Sequence, residues 1–354
     1  METPGQDYPP MSYPKEQLHF GEEVSYKGSP LLEERELKVD IRKIFNDLRN
    51  LDWSKVVWRN VVLFTLLHIY AVYGLFLAIV FVQWKTIIFS FMLVGMSALG
   101  ITMGAHRLWA HRSYKAKFPL RFVLAVFQTI AFQNHIYEWA RDHRVHHKHS
   151  ETDADPHNAR RGFFFSHMGW LMYKKHPDVI TKGRKLDMSD LERDLVVRFQ
   201  RKYYLPLVLL LCFVVPAVIP WLFWGEHIVN ALMVAAFLRY ALVLHFTWTV
   251  NSLAHWVGIK PYDKHIYPSQ NKIVTALTFG EGWHNYHHVF PWDYKTSEFG
   301  GFTEFNFTSF IIETCCFFGL AYDLTTVSKN WIAMRAERTG DGSYTYINDK
   351  DELC

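Results

Sequence analysis

The sequence predicts an all-α membrane protein in which four transmembrane helices carry a cytosolic helical cap with a histidine-rich di-metal site. The 354-residue chain is 50% hydrophobic, and its apolar residues form long runs without Asp, Glu, Lys or Arg. Eight of its 19 histidines fall into three compact groups. A net charge of +4 and 17% aromatic residues fit neither a nucleic-acid-binding protein nor a disordered chain.

Four stretches are long and apolar enough to cross a membrane, which takes roughly 20 helical residues. The predicted spans are about 60–84, 86–105, 203–225 and 228–252. Backbone polar groups cannot stay unpaired in lipid, so the spans are helices. Core helices of a soluble protein are the alternative, but they rarely stay free of charge over such lengths. Arg239, in the fourth span, has no acidic partner within the spans, which leaves backbone carbonyls or polar groups to hold it.

The distribution of Lys and Arg predicts the orientation. Basic residues precede the first span and follow the second, whereas the first hairpin loop has only Lys85 and the loop around Glu226 has none. Positively charged flanks stay cytosolic, so both termini are expected in the cytosol. The predicted organisation is a cytosolic N-terminal segment 1–56, a main domain 57–330 with its cytosolic cap at 106–202 and 255–330, and a cytosolic tail 331–354.

Three further segments resemble membrane or targeting signals. Phe122–Tyr137 and Phe305–Ala321 are apolar but are expected to be interfacial or packed helices, the first because it is too short to span and the second because it contains Glu313. The C-terminal Lys350-Asp351-Glu352-Leu353 resembles a lumenal retention signal, but Cys354 follows it and the terminus is expected in the cytosol. The polar first 50 residues do not resemble a signal peptide.

The three histidine groups have metal-ligand spacing. His143-Arg144-Val145-His146-His147 and His284-Asn285-Tyr286-His287-His288 share the pattern H-x-x-H-H, and positions i, i+3 and i+4 lie on one helix face, so three imidazoles can converge on one centre. His106 and His111 are five residues apart, so they either serve different metals or straddle a helix end. His255 is a possible ninth ligand. His68 and His245, which stand alone on apolar helices, are expected to pack or to hydrogen-bond.

The number of histidines favours two metal ions. Neutral imidazole suits Zn, Cu and Fe, and eight or nine ligands exceed what one ion needs. The chain has no H-E-x-x-H zinc-protease motif, and Glu281–His284 is the one E-x-x-H match among the grouped histidines, which argues against a soluble di-iron carboxylate site. We favour iron because two adjacent irons can activate O2, and the nearby membrane suggests an apolar substrate.

The three histidine groups resemble the three histidine boxes of the membrane acyl-CoA desaturases of the stearoyl-CoA (Δ9) type. The first box is His106-Arg107-Leu108-Trp109-Ala110-His111. The similarity covers about 57–292 and includes Glu138–Asp142, Ser150–His157 and Gly280–Trp283. It implies a desaturase domain at 57–330 with a di-iron centre under a cytosolic cap. It further implies O2-dependent formation of a cis double bond in a saturated fatty acyl-CoA, in the endoplasmic reticulum membrane, with electrons from cytochrome b5 and its NADH-dependent reductase.

The resemblance also implies the ligands. They are nine histidines, with Asn251 holding a metal-bound water: His106, His111, His143, His146, His147, His255, His284, His287 and His288. Nearby carboxylates are expected to accept the second ring N–H of the ligands, although each is as easily an ordinary surface residue or helix cap. The candidates are Glu138, Asp142, Asp153, Asp155 and Glu281.

The substrate positions follow from the resemblance as well. The acyl-CoA head is expected to contact Asn60, Asn134, Arg141, Asp142, Lys174 and Lys175, with Trp248 nearby. The acyl tail is expected in a bent tunnel, with Gln133, Trp139 and Thr247 at the bend and Val94 and Ala98 at its far end. For Lys174 and Lys175, a solvated basic patch or a cytochrome docking face is the alternative.

Two other functions remain open. A related histidine-box hydroxylase or acetylenase would use the same oxidant differently. A non-enzymatic metal transporter or receptor is the third hypothesis, although a transporter would place its ligands at mid-membrane in broken helices. The chain contains no His-Pro-Gly-Gly haem motif, so an external electron donor is expected.

Overall fold

The computed structural model describes residues 52–301 and 305–344. Most of the predicted N-terminal segment 1–56 and the C-terminal Lys350–Cys354 therefore lie outside the described residues. The described chain is almost entirely helical, and its helices are α1 (Trp58–Val80), α2 (Trp84–Ala110), α3 (Phe118–Ala131), α4 (Ile136–His149), α5 (Phe165–Gly169, continued by Trp170–Met172), α6 (Pro177–Gly183), α7 (Ser189–Arg193), α8 (Leu195–Lys202), α9 (Tyr204–Trp224), α10 (Ile228–His255), α11 (Lys272–Leu277), α12 (His284–Val289), α13 (Phe307–Phe317) and α14 (Lys329–Thr339). The predicted domain boundary at residue 330 falls inside α14.

Within residues 52–301 and 305–344, four helices are long and apolar enough to cross a membrane, as predicted: α1, α2, α9 and α10. They divide into two pairs by burial. In α1 and α9, 22% and 28% of the apolar window is buried within the protein, whereas half of it is buried in α2 and α10. Large apolar side chains such as Val72, Ile79 and Phe223 remain exposed on the outer pair, which suits contact with lipid. The two inner helices carry part of the site described below, and α4 and α12 carry most of its histidines.

Arg239 is held inside α10 by backbone carbonyl groups. Its guanidinium is 1% exposed and donates to the carbonyl oxygens of Ile130 and Cys212, both at 2.8 Å, and of Ala235 at 3.2 Å. Because the acceptors come from α3, α9 and α10, one buried cation connects three helices. Of the two alternatives that the sequence left open for Arg239, backbone carbonyls or polar groups, the structure shows the carbonyls.

The short apolar segments pack on α2. Helix α3 crosses α2 so closely that a Cβ atom at Gly100 would lie 2.3 Å from the backbone of Phe127 and Gln128, so this crossing requires glycine. Helix α13 reaches α2 through a hydrogen bond between the hydroxyls of Thr308 and Thr102 at 2.9 Å. A two-residue antiparallel pair, β1 (Lys115–Ala116) and β2 (Ala321–Tyr322), joins the segments next to these helices. As expected, both segments are packed and shorter than a membrane span, but Phe122–Tyr137 runs from α3 across a break into α4 and does not form one helix.

Candidate metal centre

The nine histidines singled out in the sequence form two adjacent groups. The first group has five members and the second has four, and within each group the ring nitrogens lie within 4.8 Å of one another. The five-histidine group is His106, His111, His143, His147 and His287, and the four-histidine group is His146, His255, His284 and His288.

A change of helical pitch brings His106 and His111 together. From Gly100 to Ala110, α2 is a π-helix, in which each backbone N–H reaches the carbonyl five residues earlier. The backbone N–H of His111 donates to the carbonyl of His106 at 3.0 Å, and the two rings lie 4.9 Å apart. The sequence left two options, different metals or a helix end. His111 caps the end of the helix, and both histidines belong to the five-histidine group.

Each H-x-x-H-H motif contributes to both groups, so the expectation that its three imidazoles converge on one centre is wrong. In α4, His143 and His147 point into the five-histidine group and His146 into the other. In α12 the division is reversed, with His287 in the five-histidine group. Consecutive residues of a helix differ by about 100° in direction. The adjacent histidines of each motif can therefore serve different centres.

The ring nitrogens of different histidines lie within hydrogen-bond distance of one another, and three rings have no proton on the nitrogen that faces its neighbour. The Nδ1 atoms of His106, His146 and His255 lie 2.9, 2.8 and 2.6 Å from carboxylate oxygens. A neutral imidazole has one N–H, so donation from Nδ1 leaves a lone pair on Nε2. These Nε2 atoms nevertheless lie 2.9–3.3 Å from other histidine Nε2 atoms. His287 Nε2 lies 2.9 Å from the Nε2 atoms of both His106 and His147. A ring nitrogen carries at most one proton, so hydrogen bonds cannot pair all of these nitrogens, and the donor set fits bound metal ions.

Burial keeps most of these rings neutral. For six histidines outside the long spans, burial first and neighbouring histidines second hold the pKa well below the ordinary value: His111, His143, His147, His284, His287 and His288. His146 differs because the pKa-lowering effect of burial is outweighed by the negative charge of Asp155, and its pKa is raised. Neutral imidazole is the form that binds metals.

Three carboxylates orient the ligands, and sequence reasoning identified two of them. Glu281 contacts His106 and Asp155 contacts His146, as expected. Glu151 contacts His255 and was missed, although it lies in the Ser150–His157 segment that carries the family resemblance. A carboxylate 104 residues away from its histidine gives no spacing signal.

The other three candidate carboxylates do not contact the histidine ligands, so that part of the expectation is wrong. Glu138 and Asp142 form ion pairs with Arg141 and Lys175. Asp153 is exposed at the surface. Their nearness to the boxes in sequence therefore does not bring them into contact with the metal centre.

A buried cation holds one of these carboxylates in place and was also missed from the sequence. Arg107 is 0% exposed, and its Nη2 donates to Glu281 Oε1 at 2.9 Å and to Thr296 Oγ1 at 2.7 Å. The other oxygen of Glu281 contacts His106, so the carboxylate connects the guanidinium of Arg107 to the imidazole of His106. The signal in the sequence was the arginine that directly follows His106 in the first box.

An apolar cavity leads to the histidines. Four of the five predicted tunnel residues line it, namely Val94, Ala98, Trp139 and Thr247, and Gln133 donates to Thr247 Oγ1 at 2.9 Å. Asn251 lines the same cavity, together with His106, His143, His146 and His284. The indole of Trp139 stacks on His143 at 4.9 Å, so the cavity wall and the metal centre share an aromatic contact.

The predicted head-group residues are less tightly grouped. Arg141, Asp142 and Lys175 line a polar cleft between α4 and α6. Asn60 donates to the carbonyl of Leu171 at 2.6 Å and Lys174 to that of Ser54 at 3.1 Å, so both lie near the start of α1. Asn134 adopts a left-handed backbone conformation between α3 and α4, with φ of 66°. Trp248 is 2% exposed and packs against Phe64 and His245, inside the protein rather than at its surface.

The lone histidines form a separate hydrogen-bonded chain, as expected for His68 and His245. His68 Nε2 lies 2.9 Å from His245 Nε2, and His245 Nδ1 lies 3.0 Å from His167 Nε2. The chain ends at the Phe64 carbonyl, 2.6 Å from His68, and at the Ser252 hydroxyl, 2.9 Å from His167. We call these three residues the histidine chain.

Comparison with known proteins agrees with this geometry. The family model for fatty acid desaturases matches residues 82–296. An acyl-CoA Delta-9 desaturase of Acheta domesticus is 58% identical over 82% of this chain and 80% of its own length. Stearoyl-CoA desaturase 5 of Bos taurus is 59% identical over 81% of this chain and 85% of its own length. An acyl-CoA Delta12-desaturase of Acheta domesticus is 55% identical over 82% of this chain and 81% of its own length. The chain is a member of the fatty acid desaturase family.

Proposed function

We propose that the protein is an O2-dependent acyl-CoA desaturase that introduces a cis double bond, at the Δ9 position, into a saturated fatty acyl-CoA. One observation carries the proposal: an apolar cavity ends on two adjacent groups of imidazoles whose ring nitrogens converge within 4.8 Å of one another. Relatives named acyl-CoA Delta-9 desaturase and stearoyl-CoA desaturase 5 support an acyl-CoA substrate.

Two iron ions are the proposed cofactor, with the nine histidines as ligands and Asn251 acting through a water. When bound, a pair of irons supplies the redox chemistry with O2 that removes hydrogen from two adjacent methylene groups. Glu281, Asp155 and Glu151 accept the Nδ1 protons of three ligands and so keep the Nε2 lone pairs directed at the metals. Asn251 lines the cavity beside His146 and His284, where a bound water would be within reach of both the protein and the substrate.

The cavity is the proposed site of the acyl tail. Its walls are mainly apolar, so a hydrocarbon chain displaces water there at low cost. The hydrogen bond from Gln133 to Thr247 fixes the wall between α3 and α10 at the proposed bend. Val94 and Ala98, one turn apart on α2, close the far end. A bent tail places one carbon–carbon bond beside His106 and His143.

The head group is proposed to bind at the basic positions of α4 and α6. Arg141 and Lys175 line the polar cleft, and charge-assisted hydrogen bonds to phosphate would partly replace their ion pairs with Asp142 and Glu138. Asn60, Asn134 and Lys174 stay predictions for the same site. Trp248, being buried, would act on the head group through its packing against Phe64 and His167.

The electrons are proposed to come from cytochrome b5 and its NADH-dependent reductase. One turnover consumes the saturated acyl chain, O2, two electrons and two protons, and yields the unsaturated chain and two waters. Lys and Arg next to the spans favour an orientation with both termini in the cytosol and, from the family resemblance, residence in the endoplasmic reticulum. The domain division at 57–330 stays a prediction.

Expression in a desaturase-deficient yeast tests the activity. We expect the protein to restore growth and to yield monounsaturated fatty acids, and we expect His146→Ala to abolish both. His68→Ala is the matched control, because it removes a histidine of the histidine chain and leaves the metal centre intact. A well-expressed protein that forms no new unsaturated product would contradict the proposal.

Mass spectrometry of the products tests the position of the double bond. The Delta12-desaturase relative at 55% identity makes Δ12 a real competing outcome. Hydroxylated or triple-bonded products would favour a hydroxylase or an acetylenase instead. Metal analysis of protein made in iron-replete medium separately tests the cofactor, with two irons per chain as the expected result.

A further inference from the structure

We propose that Arg107 neutralises the charge of Glu281 and thereby makes the iron of the five-histidine group the first of the two to accept an electron. This inference rests on the proposed function, since it assumes a pair of irons, and it names a positioning residue that tunes them. Within the described residues, the guanidinium of Arg107 hydrogen-bonds to Glu281 and Thr296 and to no candidate ligand. Its effect on the metals therefore passes through Glu281.

A buried ion pair supports the five-histidine group. Arginine stays protonated in proteins, and an unpaired cation at 0% exposure would be costly, so its partner Glu281 is ionised. The two oxygens of Glu281 contact Arg107 Nη2 and His106 Nδ1, each at 2.9 Å. The carboxylate thus orients the His106 ring while the guanidinium cancels its negative charge. Asp293 also acts on Arg107, but more weakly than Glu281 does.

Stability alone explains Arg107 poorly. Its Nε and Nη1 atoms are buried and have no hydrogen-bond partner among the residues that the structure describes. Buried donors without partners cost free energy, and a buried ion pair is a weak source of stability. What the guanidinium supplies is a fixed positive charge 2.9 Å from the carboxylate beside His106.

The four-histidine group is supported by two carboxylates that lack such a cation. Glu151 contacts His255, and Asp155 contacts His146. In the described part of the chain, neither carboxylate forms an ion pair with a lysine or arginine, and their other hydrogen bonds come from backbone N–H groups, which carry no net charge. These are the N–H groups of Glu151, His157, Ala159 and Arg160. The His157 ring lies 3.6 Å from Asp155, but burial lowers its pKa to about 3, so it adds no charge.

More distant charges do not offset this difference. Lys260 feels Glu151, but two other carboxylates act on it more strongly, Asp263 and Asp341. On the other side, Arg144 acts on His111 of the five-histidine group, but it forms an ion pair with Asp190 at 2.6 Å. The charges around the five-histidine group are thus paired, whereas Glu151 leaves the four-histidine group with unpaired negative charge.

The order of reduction follows from this charge difference. Both groups supply neutral imidazoles, so the surroundings distinguish them. Negative charge close to a metal ion stabilises its ferric form over its ferrous form, which lowers the reduction potential. The iron beside Glu151 and Asp155 is therefore the harder one to reduce. A one-electron donor reduces the five-histidine iron first and the four-histidine iron second, and the two transfers supply the two electrons of one turnover.

Substitutions of opposite charge test the ion pair in protein loaded with two irons. Arg107→Gln leaves Glu281 without its cation and should disfavour the first reduction step at least tenfold, which is about 59 mV for one electron. Glu281→Gln leaves the cation unpaired and should favour the same step by a similar factor. The measurement is a redox titration in which Mössbauer spectroscopy of iron-57 counts ferric and ferrous ions. A purely structural role would move both variants in the same direction, and that result would overturn the role of Arg107.

The double variant Arg107→Gln/Glu281→Gln keeps the test decisive if Arg107→Gln does not fold. It leaves no unpaired buried ion, so its first step should stay close to that of the unsubstituted protein. Glu281→Gln should then still favour the first step at least tenfold relative to the double variant. Equal potentials in these two variants would contradict the inference.

Glu151→Gln assigns the two steps to the two groups. It removes negative charge beside the four-histidine group, so it should favour the second step at least tenfold and leave the first nearly unchanged. A shift of the first step instead would reverse the order and overturn the inference. The matched controls are Arg121→Gln and Asp194→Asn, which break an ion pair of 2.9 Å between α3 and the start of α8 and should move neither step.

Product analysis separates this inference from the proposed function. Two reduction steps that respond as expected, in a protein that forms no desaturated product, would disprove the proposed function alone. Desaturation by a protein whose first step shifts in the same direction in Arg107→Gln and Glu281→Gln would disprove the inference alone.

Discussion

The protein contains two histidine assemblies that differ in where their protons lie. In the histidine chain, the Phe64 carbonyl can only accept, so His68 Nδ1 donates to it and His68 Nε2 accepts from His245. The same logic makes His245 Nδ1 accept from His167 Nε2. His167 Nδ1 then faces the Ser252 hydroxyl at 2.9 Å, and the single proton of that hydroxyl is shared between His167 and the Trp248 carbonyl. Three neutral rings thus use every ring nitrogen, and the chain is complete without any ion.

The metal centre has the opposite arrangement. Carboxylates accept hydrogen bonds from the Nδ1 atoms of His106, His146 and His255, and the proton-free Nε2 atoms of these rings lie 2.9–3.3 Å from the Nε2 atoms of other histidines. A dense group of histidines is therefore not by itself a metal site. The two assemblies differ in whether hydrogen bonds can pair all of the ring nitrogens. Substitutions in each assembly test this difference.

Removing a central ligand should have the largest effect. His287 Nε2 lies 2.9 Å from both His106 and His147, at the middle of the five-histidine group. We expect His287→Ala to lower the metal content from about two ions per chain to about one or none, and to abolish activity. His245→Ala, in the histidine chain, should keep both ions. Metal analysis of the purified proteins measures this, and equal metal loss in the two variants would refute the distinction drawn here.

Histidine spacing and charge-free runs predicted the residues of the centre and the four long helices, but not their arrangement. The period of an α-helix gives directions around one helix, so it could not say that His146 and His147 point to different centres. It also could not place His106 beside His111, because that depends on the π-helical pitch of α2. Glu151 and His255 meet only through the folding of distant segments. Long-range pairing of this kind leaves no local pattern in one sequence.

Acid should destabilise the metal-free protein. The pKa values of six clustered histidines are lowered in the folded state, whereas in the unfolded chain they return to about 6.5. Below that pH the unfolded state binds more protons, so the free energy of unfolding falls as pH falls, by up to about 1.4 kcal/mol per pH unit for each histidine. Above it, these groups add no pH dependence.

Thermal unfolding in detergent measures this effect. The unfolding midpoint of the metal-free protein should drop by several degrees between pH 7.5 and pH 5.5. Bound metal should raise the midpoint without reducing this drop, because it binds the rings in the neutral form that the fold already imposes. A midpoint that stays constant in the metal-free protein would mean that the clustered histidines are not kept neutral by the fold.

Loss of a supporting carboxylate should have an intermediate effect. Glu281→Gln keeps an oxygen near His106 Nδ1 but removes the charge that holds both this ring and Arg107. We expect metal affinity to fall about 10–100-fold. Glu138→Gln is the matched control, since Glu138 pairs with Arg141 and Lys175 instead. Competition with a chelator measures affinity, and a similar loss in both variants would point to a general effect of acidic charge.

The smallest effect should come from cutting the histidine chain at its end. His68→Phe leaves the Nε2–H of His245 without its acceptor in a partly buried site, which we expect to lower the free energy of unfolding by about 1–3 kcal/mol. Thr65→Val on the same helix removes an exposed intrahelical hydroxyl bond and should change stability by less than about 0.5 kcal/mol. Metal content should stay unchanged in both, because the chain shares no ring with the centre. If His68→Phe released metal, the histidine chain and the metal centre would be one coupled network. The conclusion that the two assemblies are independent would then be wrong.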